Sequence, residues 1–64
     1  MIKELRIQRG YTQAQLADKA GINTTQVQKL ETGKIKIENI TLKNAVSLAK
    51  ALGVKVEELI KQEE

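Results

Sequence analysis

Apolar residues recur every three or four positions along most of this chain, the signature of amphipathic helices, and no proline interrupts them. In residues 1–9, Ile2 and Leu5 share one side, and Gly10 follows as a helix stop. Thr12-Gln13-Ala14-Gln15 reads as a capping box, in which the Thr12 hydroxyl accepts from the Gln15 amide while the Gln15 side chain reaches back. The helix it opens buries Leu16, Ala17 and Ala20, and Gly21 interrupts it where a left-handed backbone suits glycine. Asn23-Thr24-Thr25-Gln26 is a second box-like unit, opening a third helix with Val27 and Leu30 inward and Gly33 as its stop. The clearest periodicity predicts a fourth helix over Leu42–Leu52, its buried stripe formed by Leu42, Ala45, Val46, Ala49 and Leu52, with Gly53 beyond it. Val56, Leu59 and Ile60 predict a short fifth helix, with Glu57 and Glu58 in its first turn, where the helix dipole favours acid. Between helices three and four, Lys34-Ile35-Lys36-Ile37-Glu38 alternates with period two. It predicts an extended segment with Ile35 and Ile37 turned the same way and Ile40 joining the core.

No repeat, low-complexity tract or linker divides the sequence, so one all-α domain of five helices over residues 1–64 is expected. A chain of this size buries only about 60% of the surface its unfolded form exposes, which makes the core thin. Cys and His are both absent. That excludes a disulfide framework, a Cys- or His-ligated zinc site, a Cys or His nucleophile and a His general base, so no metal or cofactor is expected. With no paired-carboxylate site and little room for a pocket, an enzyme is not expected either. No apolar run exceeds two residues and no secretory segment follows Met1, so neither membrane insertion nor export is expected and the cytoplasm is the simplest location.

The formal charge of +3 is modest, but it is unevenly distributed. Lys55 and Lys61 against Glu57, Glu58, Glu63 and Glu64 leave residues 55–64 at −2, so residues 1–54 carry +5. A chain polarised in this way can present a basic face to a polyanion, although charged helix surfaces in water would look the same.

Residues 13–32 carry the functional signal. Two short helices flank Gly21, and Ala17 is small where the following helix has to cross closely. Ile22, Val27 and Leu30 would press the later helix onto the earlier one, which is the steric requirement of a helix-turn-helix. Around this unit the chain resembles the Cro/repressor-type helix-turn-helix proteins, the XRE family of bacterial and phage regulators. The likeness is carried by Leu5-Arg6, Arg9-Gly10-Tyr11-Thr12-Gln13, Leu16-Ala17, Ala20-Gly21-Ile22, Val27, Leu30-Glu31-Thr32-Gly33 and Leu48-Ala49-Lys50-Ala51-Leu52-Gly53-Val54. It implies a five-helix, lambda-repressor-like domain that docks its third helix in the DNA major groove. Two departures stand out: the loop after Gly33 lacks the proline common in the family and is a few residues longer, and Glu38 and Asn39 stand where basic residues are often found.

The outward face of the third helix is polar: Thr24, Thr25, Gln26, Gln28 and Lys29. Gln can bridge adenine N6 and N7, Lys can donate to guanine O6 and N7, and Thr offers a hydroxyl and a methyl to thymine. Any solvent-facing helix is polar, so the resemblance is what assigns base readout to Thr25, Gln26 and Lys29, with Thr24 close by and Gln28 peripheral. The resemblance also gives Gln13, at the amide-rich start of the second helix, a phosphate-clamping role, against the alternative of plain first-turn solvation. Lys34 and Lys36, just past the third helix, and Arg9 are further candidate phosphate contacts, with a solvated loop as the alternative for the two lysines. Arg6 and Glu31 are implied to form a structural ion pair orienting the third helix, either buried or exposed.

The expected partner is double-stranded DNA carrying a palindromic operator, bound by a homodimer with half-sites one helical turn apart. Ile35, Ile37 and the 54–60 segment are the candidate dimer surfaces, with completion of the monomer core as the alternative for each. No small-molecule effector site is legible. A transcriptional repressor is the leading reading, and the alternative is an antitoxin-type module that neutralises a toxin and autoregulates its operon.

Overall fold

The computed structural model describes residues 2–61. Met1, assigned above to the first helix, and Glu63 and Glu64 of the acidic end lie outside the described residues. Among the described residues five α-helices follow in order: α1 (Ile2–Gln8), α2 (Gln13–Ala20), α3 (Thr24–Thr32), α4 (Leu42–Leu52) and α5 (Val56–Lys61). A 3-10 turn, Ile37–Asn39, lies between α3 and α4, and no strand occurs among the described residues. No helix among them is long and apolar enough to cross a membrane.

Helix α2 is the centre of the molecule, packed against α3 on one side and α4 on the other. Its starting end is fixed by the expected capping box, in which the Thr12 hydroxyl accepts from the Gln15 amide at 3.1 Å and the Gln15 side chain accepts from the Thr12 amide at 2.9 Å. Its other end closes on Gly21, whose φ of 70° is the left-handed conformation that side chains rarely tolerate. The Ile22 amide then donates to the Ala17 carbonyl at 2.9 Å, which turns the chain straight into α3. Leu16 of α2, Val27 of α3 and Leu48 and Leu52 of α4 are fully buried where these helices meet. Each such side chain contributes roughly 1.5–3 kcal/mol through burial. Helix α1 adds Ile2 and packs on α3, while α5 adds Leu59 and packs on α4 and the 3-10 turn.

The structure corrects the expected pattern in three places. The buried stripe of α4 runs through Ala45, Leu48, Ala49 and Leu52, and Leu42 is 73% exposed. Leu42 follows the Thr41 cap as the first residue of α4, so it stands at the helix end beyond the packed stretch. In α5, Val56 and Leu59 face the core, but Ile60 is 42% exposed. The third correction is the 34–38 segment, which is not uniformly extended. It ends in the 3-10 turn, where the Asn39 amide donates to the Lys36 carbonyl at 2.9 Å. With no neighbouring strand to supply a ladder, the backbone satisfies itself by turning. Ile37 is only 4% exposed and belongs to the core, whereas Ile35 stands outside the core cluster, so the two isoleucines do not share a face. Ile40 joins the core as expected.

Truncating a fully buried side chain leaves a cavity as well as losing its burial. Leu16→Ala is therefore expected to lower unfolding free energy by about 2–5 kcal/mol in urea titrations. Leu42→Ala, despite its place on the sequence stripe, is expected to change it by no more than about 0.5 kcal/mol.

Candidate nucleic-acid interface

Helix α3 is positioned by its two ends. At the start, the Asn23 carboxamide oxygen accepts from the Gln26 amide at 2.8 Å. Only this half of the anticipated box is made, because the Gln26 side chain lines a groove on the outer surface. At the far end, the Lys29 carbonyl accepts from the Gly33 amide, from the Lys34 amide at 2.9 Å and from the Ile35 amide at 3.3 Å. The chain leaving α3 is thus folded back onto its last turn.

A part-buried charge cluster ties α3 to the body. The Arg6 guanidinium donates through Nε to Glu31 Oε2 at 2.7 Å and through Nη2 to Glu31 Oε1 at 3.3 Å, the forked geometry that favours arginine over lysine. Its Nη1 donates to the Tyr11 carbonyl at 2.8 Å. Gln13 joins from α2, with Nε2 donating to Glu31 Oε1 at 3.0 Å, and Gln28 Nε2 donates in turn to Gln13 Oε1 at 3.4 Å. The Arg6 and Glu31 side chains are only 12% and 4% exposed, so the ion pair is largely shielded from water although both residues are part-buried as wholes. Burial by itself would raise the Glu31 pKa. The hydrogen bonds from Arg6 and Gln13 and the Arg6 charge outweigh it and hold the carboxyl below the usual carboxylate range.

The solvent side of α3 borders a groove of about 440 Å³ lined by Asn23, Thr25, Gln26, Lys29 and Ile35. Three of the four residues assigned to base readout therefore come together in one concavity, and Thr24 lies half-buried outside its lining. Asn23 and Ile35 are the members that sequence reasoning missed. Asn23 reads from sequence as a cap and nothing more, and Ile35 as a core or dimer residue. Gln28, expected to be peripheral, is tied to Gln13.

Lys34 and Lys36 are exposed on the connection after α3. Arg9 is exposed; its Nε donates to the Leu52 carbonyl at 2.9 Å, and its guanidinium lies so close to Gly53 that a Cβ there would sit 2.8 Å from Nη2. That bond satisfies a carbonyl at the carboxyl end of α4. Among the described residues no group of three or more acidic, His or Cys side chains is placed to hold a metal ion.

Two short helices joined through a left-handed glycine, the second offering a polar outer edge, define a helix-turn-helix domain. The family model described as Helix-turn-helix matches residues 2–59, and the chain belongs to that family, the Cro/repressor-type or XRE group. It is a family of DNA-binding transcription regulators and not of enzymes. No curated protein sequence matches the chain.

Removing one partner of the ion pair strands a buried charge, so Glu31→Ala or Arg6→Ala is expected to lower stability by roughly 3–5 kcal/mol in urea titrations. The pH dependence follows from the lowered carboxyl. Below the ordinary carboxylate value of 4.5 the unfolded chain takes up the Glu31 proton before the folded chain does. The stabilisation is complete above that value and disappears as pH falls through the folded-state value. Glu31→Gln is expected to flatten the acid limb of a stability–pH curve measured by circular dichroism.

Proposed function

We propose that this protein is a transcriptional repressor that binds a palindromic operator as a homodimer, inserting α3 into the major groove of each half-site. The observation that carries this reading is the groove of Thr25, Gln26 and Lys29, three side chains suited to base edges, left facing solvent by a helix otherwise clamped from behind. Thr25, Gln26 and Lys29 read bases, with Thr24 at the margin of the contact. Lys34 and Lys36 contact phosphate and fix the register. Gln13 also contacts phosphate: Glu31 occupies one Nε2 hydrogen, which leaves the other for the backbone, and the same side chain ties that contact to α3. Arg9, exposed and bonded to the end of α4 through Nε, is a further phosphate contact through its remaining guanidinium hydrogens.

The homodimer is proposed because one such domain spans a half-site, and two-fold pairing places the second helix one turn of DNA away, about 34–36 Å. Burial of Ile37 removes it from the candidate dimer surfaces, while the exposed Leu42 and Ile60 offer apolar contact. A domain acting on chromosomal or phage DNA in this way works in the cytoplasm.

Binding-site selection from random duplex DNA is expected to enrich one palindromic element. Lys29→Ala should relax preference at one base pair per half-site, by roughly 1–3 kcal/mol of discrimination. Lys34→Ala should weaken all sequences alike and reduce the salt slope of log K by about 0.9 for each phosphate the lysine neutralises. Sedimentation with operator should show two protomers per duplex. Equal, weak retention of every sequence would overturn the DNA reading, and co-purification with the product of an adjacent toxin-like gene would move the protein to the antitoxin class.

A further inference from the structure

Ile35 is the one apolar residue in the lining of the α3 groove, beside Asn23, Thr25, Gln26 and Lys29. It is not a core residue that has slipped outward, because the core cluster and the partly buried side chains packed on it do not include Ile35. Its position is fixed from both sides. On one side its own amide and that of Lys34 donate to the Lys29 carbonyl, at 3.3 and 2.9 Å, holding the segment against the last turn of α3. On the other, two residues later, Ile37 is buried and begins the 3-10 turn. A β-branched side chain with few rotamers, on a backbone held at both ends, presents a preorganised apolar surface at the edge of a polar groove.

A polar groove that reads hydrogen-bonding base edges has one use for such a surface. Thymine alone among the four bases carries a methyl group in the major groove, and apolar side chains recognise it by burying it. Resting on the proposal that α3 enters the major groove, we infer that Ile35 is a specificity-determining residue that selects thymine at one position of each half-site by packing on its 5-methyl group. The residue lies outside α3, so readout extends from the helix into the connection that follows it. Lys34 and Lys36, which flank Ile35, are exposed, and phosphate contacts made by them would hold the segment between them close to the base edges.

The test uses the operator recovered by selection. Each thymine is replaced in turn by deoxyuridine, which removes the methyl and changes nothing else, and affinity is measured for the wild-type protein and for Ile35→Ala. At one thymine per half-site the wild type is expected to lose about fourfold in affinity, the value of burying one methyl-sized group. Ile35→Ala is expected to bind the thymine and deoxyuridine duplexes equally at that position, while keeping the wild-type response at every other thymine. Ile35→Val should retain part of the discrimination. Circular dichroism of Ile35→Ala should show the wild-type melting profile, since the side chain is not packed on the core. If no thymine is sensed by the wild type and ignored by Ile35→Ala, the inference is overturned while sequence-specific binding stands. If selection enriches no sequence at all, the DNA reading fails first and the inference falls with it.

Discussion

Helix α3 can face outward only because something holds its inner edge, and that hold is concentrated on one carboxylate. Glu31 accepts two hydrogen bonds from Arg6 and one from Gln13, so α1, the start of α2 and the end of α3 converge on a single group. Apolar packing through Val27 fixes how closely α3 approaches α2, but a buried valine tolerates small rotations of the helix about its axis. Forked, charge-assisted bonds are directional and tolerate far less. The angular precision that base readout demands is therefore supplied by polar chemistry behind the helix, and the hydrophobic core supplies the cohesion.

The same cluster couples two surfaces that would otherwise be independent. Gln13 sits in the first turn of α2, where helix amides favour an anion, and its side chain bridges Glu31 and Gln28 of α3. A DNA-backbone contact at the start of α2 would be transmitted to α3 through one amide group, without any movement of the core. Gln28 gains its part in this through α3 geometry. Three residues before Glu31, it lies on the flank of the helix between the clasp and the groove, where a sequence reading sees only another solvated glutamine.

Much of the fold was legible because it rests on local rules. Thr12, Gln15, Asn23 and the four glycines act on their own neighbours, and the capping and stop signals they give place helix ends to within a residue. Most of the failures involve partners distant in sequence, and one a local turn. Periodicity could not tell that α4 is crossed only from Ala45 onward, leaving Leu42 in water, nor that Ile60 lies past the edge of the α5 contact. The alternation at residues 34–38 suggested an extended segment, but extended backbone needs a partner, and the Lys29 carbonyl captured the start of the segment instead. Likewise, Thr25, Gln26 and Lys29 share a helix face and could be grouped by spacing, whereas Ile35 reaches the same groove only through that backward turn. The Arg9 bond to the Leu52 carbonyl also joins residues far apart in sequence and has no local signal.

Charge provides the last link between the clasp and the groove. Helix α3 contains one basic and one acidic residue, Lys29 and Glu31, and would be electrically neutral to an approaching polyanion if both faced water. Glu31 does not: its charge is directed inward and matched by Arg6, while Lys29 lies in the groove lining. Burying the acid thus converts a neutral helix into one whose outer edge is positive, and it does so with the same bonds that fix the helix orientation. The exposed acids Glu57 and Glu58 are carried on α5, which packs on α4 and the 3-10 turn, in the first turn, where they complement the positive end of their own helix. The modest net charge of +3 thus understates the charge at the groove, where Lys29 is the one charged residue of the lining.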